Sequence, residues 1–132
     1  MNIAVFDSMY RATGPALVDR LNAGVRASAF RSLAGAIDVS AEALATCLGL
    51  SPRTLRNRQG LLTADETERS FRAYRVFVRA REVFAGEIQA RAWMNTPQRV
   101  LGNRTPLSML VRDVGANEVL SVLGAIEDGG YL

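Results

Sequence analysis

Three arginines and an asparagine crowd one short stretch, Ser51-Pro52-Arg53-Thr54-Leu55-Arg56-Asn57-Arg58. Arginine offers a planar fork to guanine edges or phosphates, and asparagine bonds adenine. A helix carrying them outward suits the major groove of DNA. The candidate DNA-contacting residues are Ser51, Arg53, Thr54, Arg56, Asn57 and Arg58. A solvated, arginine-rich helical hairpin explains the same pattern, since a chain with 16 basic residues must place them somewhere. All of those residues are arginine; biased coding is the simple cause, but every cation here can bond in several directions at once.

Other chemistries have little to work with. The chain has no histidine and one cysteine, Cys47. It therefore lacks the commonest general base and metal ligand, and Cys47 has no histidine to activate it. No ligand cluster with metal spacing and no glycine-rich phosphate loop is visible, so no catalytic residue, metal or cofactor is expected. A lone cysteine fits a reducing compartment. The opening residues, Met1-Asn2-Ile3-Ala4-Val5-Phe6-Asp7, lack the basic region of a signal peptide, and no apolar run is long enough for a membrane span. The expected setting is cytoplasmic, with no membrane partner.

The elements that must position these residues are helical. Apolar residues recur at helical rather than alternating spacing, and 132 residues with 48% hydrophobic content make one modest domain with a real core. Thr13-Gly14-Pro15 reads as a break, followed by helices over about 15–22 and 27–37. Ser40 caps a helix to Leu48, with Glu42 in the first turn where the helix dipole favours an acid. Gly49 closes that helix, and Ser51-Pro52 opens the next, to about Gln59. Leu44, Ala45, Leu48 and Leu55 have the spacing of two helices joined by a tight turn.

Thr63-Ala64-Asp65-Glu66 is a capping box that starts the longest helix, to about Phe84. Phe71, Tyr74 and Val78 share one face of it, and Asp65–Arg69 and Glu68–Arg72 are i,i+4 pairs. A short helix over 87–94 carries Trp93, which is expected to pack on Phe77 or Phe84. A loop follows to Asn103. Thr105-Pro106 begins a helix to about Arg112, Gly115 breaks it, and a last helix spans about 117–127. The charge is uneven. Residues 51–60 carry +3, while residues 105–132 set Arg112 against Asp113, Glu118, Glu127 and Asp128, a balance of −3. A basic middle and an acidic end suggest different partners.

The ordered set of motifs resembles the Xre/MbcA/ParS-type antitoxins of type II toxin–antitoxin modules, from about Pro15 onward. The helix-turn-helix-like region of that family ends in a Ser-x-x-Thr-Leu-x-Arg pattern, here Ser51 to Arg58, followed by Leu62-Thr63-Ala64-Asp65-Glu66. Its toxin-binding lobe is similar to Trp93-Met94, Leu101-Gly102, Pro106-Leu107, Gly115, Val119, Leu123 and Gly129. Asn103 stands where a second glycine is common, which leaves the turn geometry open. Asn57 interrupts a frequent Arg-Arg pair, which leaves the DNA contacts open. The first fourteen residues carry no part of the resemblance.

The resemblance implies an all-α antitoxin. It would have a helix-turn-helix-like DNA-binding region over 15–62, a connecting helix over 63–85 and a small helical toxin-binding lobe over 86–132. The partners implied are a RES-domain toxin that consumes NAD, whose active site the lobe would occlude, and operator DNA for autorepression, in a homo-oligomer or a hetero-oligomer with toxin. In some relatives the helix-turn-helix serves packing or dimer formation instead. The candidate toxin-binding residues are Arg112, Asp113, Asn117, Glu127, Asp128, Tyr131 and the Leu132 carboxylate. The acidic end with its paired glycines suits insertion into a phosphate-accepting cleft, and it also suits an ordinary frayed terminus. The alternative is a stand-alone helix-turn-helix transcription regulator whose C-terminal lobe dimerises.

Overall fold

A computed structural model describes residues 3–129, and these are helical, joined by turns and two isolated antiparallel bridges. The eight α-helices are α1 (Ala4–Arg11), α2 (Gly14–Ala23), α3 (Ala27–Ile37), α4 (Ala41–Cys47), α5 (Pro52–Arg56), α6 (Ala64–Phe84), α7 (Glu87–Met94) and α8 (Asp113–Glu127). Two 3-10 turns, Arg99–Leu101 and Leu107–Val111, lie between α7 and α8. None of these helices is long and apolar enough to cross a membrane.

The local signals set most boundaries. The Ser40 hydroxyl accepts from the Ala43 amide at 3.0 Å and that of Ser51 from Thr54 at 3.2 Å. Both satisfy amides that a helix start leaves without partners. Thr63 and Glu66 form the complete capping box, with bonds of 3.1 and 2.8 Å. Gly49 takes the left-handed conformation (φ 70°) that lets α5 turn back against α4. Asn103 also takes it (φ 62°), which asparagine tolerates better than most residues. The turn after Leu101 is therefore built without the second glycine.

The long helix is a shared spine rather than a spacer. It packs against α1, α2, α3, α7, α8 and the Leu107–Val111 turn. Phe71, Ala73, Tyr74, Val76, Phe77, Val78 and Ala80 are buried along it, in one core that runs from Phe6 to Leu123. Its polar core residues are paired. Thr67 accepts from the Val25 amide at 3.2 Å, and Ser70 donates to the Glu66 carbonyl at 2.7 Å. The first segment, which carries no part of the resemblance, belongs to this core. Phe6 and Met9 of α1 are fully buried, Phe6 stacks on Tyr74 at 5.5 Å, and the Tyr74 hydroxyl donates to the Asp7 carboxylate.

Four expectations need correction. The helix after Ser51-Pro52 stops at Arg56 rather than near Gln59. The segment after Thr105-Pro106 is capped as expected, Ser108 donating to Thr105 Oγ1 at 3.1 Å, but it winds as a 3-10 turn. Gly115 does not break a helix. It lies within the first turn of α8, where its missing side chain lets the Met109 carbonyl come against the backbone. Arg72 does not face Glu68; its Nη1 donates to the Leu110 carbonyl at 2.9 Å and its Nε lies 3.7 Å from Asp113.

Arg72 is one of several arginines that finish distant elements. Arg69 donates to the Leu48 carbonyl at the end of α4 at 2.9 Å, and Arg91 to Ala36 near the end of α3 at 2.7 Å. Asn95 adds a bond to Ile37 at 3.0 Å. The last carbonyls of a helix have no partner within it and sit at the negative end of its dipole, so cationic donors are favoured there. Arg69 and Arg72 thus tie α4 and the Leu107–Val111 turn to the spine, while Arg91 and Asn95 tie the end of α3 to the C-terminal lobe.

Candidate functional site

The basic unit is built from α4 and α5. Leu44, Ala45, Leu48 and Leu55 are buried between and beneath the two helices, and the tight turn at Gly49 fixes their angle. That packing points the other side of α5 outward. Ser51, Arg53, Thr54, Arg56 and Asn57 are all exposed. Arg56 lies 3.6 Å from Glu42 of α4, with both side chains more than half exposed, so this is a loose, solvated pair.

Arg58 behaves differently from the outward reading. Its guanidinium turns back to grip Glu66 in a fork, at 2.7 and 3.1 Å, and also donates to the Leu61 carbonyl at 3.1 Å. Only 24% of its side chain is exposed. Glu66 also holds the capping box, so Arg58 fastens the turn after α5 to the start of α6. A sixth exposed residue was missed from sequence. Arg31 of α3 borders the same small depression, about 80 Å³, as Glu42, Pro52 and Arg56. Its isolated place in an otherwise apolar and small-residue helix gave no local sign of this neighbourhood.

The C-terminal lobe carries an apolar groove of about 490 Å³. Phe84, Trp93, Val100, Val122 and Ile126 line it, with Pro97, Gln98 and Arg99 at its rim. Trp93 packs on Phe84, with ring centroids 5.5 Å apart, whereas Phe77 lies deeper with the Arg81 guanidinium over its ring at 5.1 Å. Trp93 is thus both a partial anchor on the spine and a groove wall. Val100 is 48% exposed despite being apolar.

The residues proposed for partner contact do not gather at one place. Arg112, Asp113 and Asn117 are exposed at the start of α8, while Glu127 and Asp128 stand at its end. Fourteen helical steps separate Asp113 from Glu127, roughly 21 Å at 1.5 Å per residue. The groove belongs to the second end, through Val122 and Ile126. Glu127 is held by Arg79 of the spine in a fork of 2.7 and 3.1 Å. That hydrogen bond lowers the carboxyl pKa of Glu127 and raises that of Arg79, so both stay ionised. Tyr131 and Leu132 lie outside the described residues.

Cys47 is half buried and burial pushes its thiol pKa up, which makes it a poor nucleophile at neutral pH. No group of three metal-ligating side chains occurs among the described residues.

An antitoxin Xre of Yersinia enterocolitica (serotype O:8, biotype 1B) is 32% identical over 122 residues, spanning 89% of this chain and 82% of that protein. The chain belongs to the Xre antitoxin family. Two family descriptions divide it. Residues 16–73 match an antitoxin Xre-like helix-turn-helix domain, and residues 79–129 match an antitoxin Xre/MbcA/ParS C-terminal toxin-binding domain. An antitoxin Xre of Photorhabdus laumondii is 43% identical over 72 residues, 54% of this chain and 49% of its own length. One from Pseudomonas putida is 32% identical over 80 residues, 58% of this chain and 50% of its own. The protein is an antitoxin with a helix-turn-helix domain and a toxin-binding domain. The α4–α5 unit falls in the first and the apolar groove in the second.

Proposed function

We propose that this antitoxin occludes the active site of an NAD-consuming RES-type toxin with its C-terminal lobe, and represses its own operon by holding operator DNA on α5. The observation that carries the toxin half is the Trp93–Val100 groove. A chain that leaves an aromatic-walled apolar cleft open in the toxin-binding domain has a ready seat for a partner's apolar side chain. The RES identity rests on the resemblance read from sequence. The division of labour follows the sequence boundaries: 15–62 toward DNA, 63–85 as the shared helix, 86–132 toward toxin, in a hetero-oligomer.

In this scheme the groove supplies affinity and the segment after Glu127 supplies occlusion. Glu127 itself is engaged by Arg79, so Asp128 is the acid that imitates a phosphate for the toxin's cations. Arg112, Asp113 and Asn117, at the other end of α8, form a secondary rim. On the DNA side, Arg53 and Arg56 hold phosphates or guanine edges, Thr54 and Asn57 reach base edges, and Ser51 serves as the cap.

The test uses the neighbouring toxin co-expressed with full-length antitoxin. Val100→Glu places an unpaired charge in the groove without touching the core, and the affinity for toxin is expected to fall at least about tenfold. Deletion of 128–132 is expected to leave a complex that copurifies yet no longer protects NAD. If both variants bind as tightly as the parent and still protect NAD at saturation, neither groove nor tail does what is assigned to it.

A further inference from the structure

Arg58 was the third cation of the expected DNA face, and in the fold its guanidinium is turned to Glu66. The depression beside α5 holds a replacement. Arg31, on α3, borders it together with Glu42, Pro52 and Arg56. Arg31 is exposed, and no hydrogen bond or ion pair engages it among the described residues. We propose that Arg31 completes the DNA face as a backbone-phosphate contact, and that Glu42 acts as its built-in counter-charge, holding Arg56 until a phosphate displaces it. The proposal rests on the reading that α5 faces DNA.

The charges support it. Arg31, Arg53 and Arg56 against Glu42 leave +2 on the surface around the depression. Arg31 projects from a different helix than Arg53 and Arg56, so the cations spread across the face instead of stacking along one five-residue helix. A duplex carries phosphates along both edges of its major groove, and contacts outside the reading helix fix register and orientation without reading sequence. Arg31 suits that role, since it stands on α3, outside the helix that carries Thr54. Glu42 opposes an approaching phosphate and screens Arg56 in the free protein. Both side chains of the pair are exposed, so little holds it together once a phosphate competes.

The experiment is a salt titration of full-length protein by fluorescence anisotropy, on a duplex from upstream of its own gene and on an unrelated duplex of equal length. Each lost phosphate contact lowers the slope of log affinity against log salt by about 0.9. Arg31→Ala is expected to lower the slope by about one on both duplexes alike, with an unchanged melting temperature, and Arg31→Lys to restore most of it. Glu42→Gln is expected to raise affinity by up to about fivefold. The Arg53→Ala, Arg56→Ala double variant serves as the reference and is expected to lower the slope by about two. If the reference loses slope and Arg31→Ala does not, Arg31 lies off the DNA face and the proposal is overturned. If neither loses slope, the reading of α5 as a DNA helix has itself failed.

Discussion

Replacing Gly115 by alanine is expected to cost the isolated protein about 3 kcal/mol, at the upper end of what over-packing usually costs. A methyl group built at this position would overlap the carbonyl oxygen of Met109, and its carbon would lie only 2.9 Å away. The obstacle is backbone, so no side chain can swing aside. Either the Leu107–Val111 turn moves or the first turn of α8 unwinds. Both movements disturb buried Leu107, Leu110, Ala116 and Val119. For a domain of this size the melting temperature should fall by roughly 10 °C. Gly124 of the same helix is the control. Nothing lies within 4 Å of a methyl placed there, so Gly124→Ala should stabilise by about 0.5–1 kcal/mol through helix propensity. Thermal melts followed by circular dichroism measure both. Equal, small shifts for the two variants would show that Gly115 has no packing role.

Glu66 is the second position where a single change should be felt widely. One carboxylate oxygen accepts from the Thr63 amide and from Arg58, and the other accepts from Arg58 again. Its side chain is only 13% exposed. Glu66→Ala removes half of the capping box, worth about 1 kcal/mol, and strands a partly buried guanidinium that had two charge-assisted bonds. A total loss of about 2–3 kcal/mol is expected. Arg58→Ala should cost somewhat less. The double variant should cost clearly less than the sum, because the two residues share one interaction. The same Arg58→Ala protein should keep the full salt slope for DNA. A variant that melts normally but loses slope would return Arg58 to the DNA face and undo its assignment as a fastener.

The chain of local signals explains how much of the fold is legible without coordinates. Ser40, Ser51 and Thr63 each bond an amide three residues on, and such bonds depend on residues only a few places apart. The starts of α4, α5 and α6 follow from this short-range chemistry, whereas α3 and α7 begin without a side-chain cap. The failures are equally physical. Gly115 looks like a breaker because glycine weakens a helix on average, yet its use here depends on a carbonyl from another element. The first helix is short, and eight residues give only about two turns of the apolar spacing that Val5, Phe6, Met9 and Tyr10 show, with Phe6 and Met9 buried. Their burial becomes visible only when Tyr74 is placed beside them.

The candidate sites divide along the same line. The sequence by itself determined an all-helical chain, the order and caps of its main helices, the α4–α5 turn that exposes Arg53 and Arg56, and the motifs of both family domains. Only the tertiary structure decided which arginines are free. Arg72 finds Leu110, Arg91 finds Ala36, and Arg79 finds Glu127, across separations of 38, 55 and 48 residues. A guanidinium reaches any carbonyl or carboxylate that folding brings within a few ångströms, and no short-range spacing encodes which one that will be. Arg58 is turned back to Glu66 in this way, and Arg31 stands exposed beside the depression at α5. The apolar groove has the same origin, since Phe84, Trp93, Val100 and Ile126 come from four separate segments that meet only when α7 and α8 close on the spine.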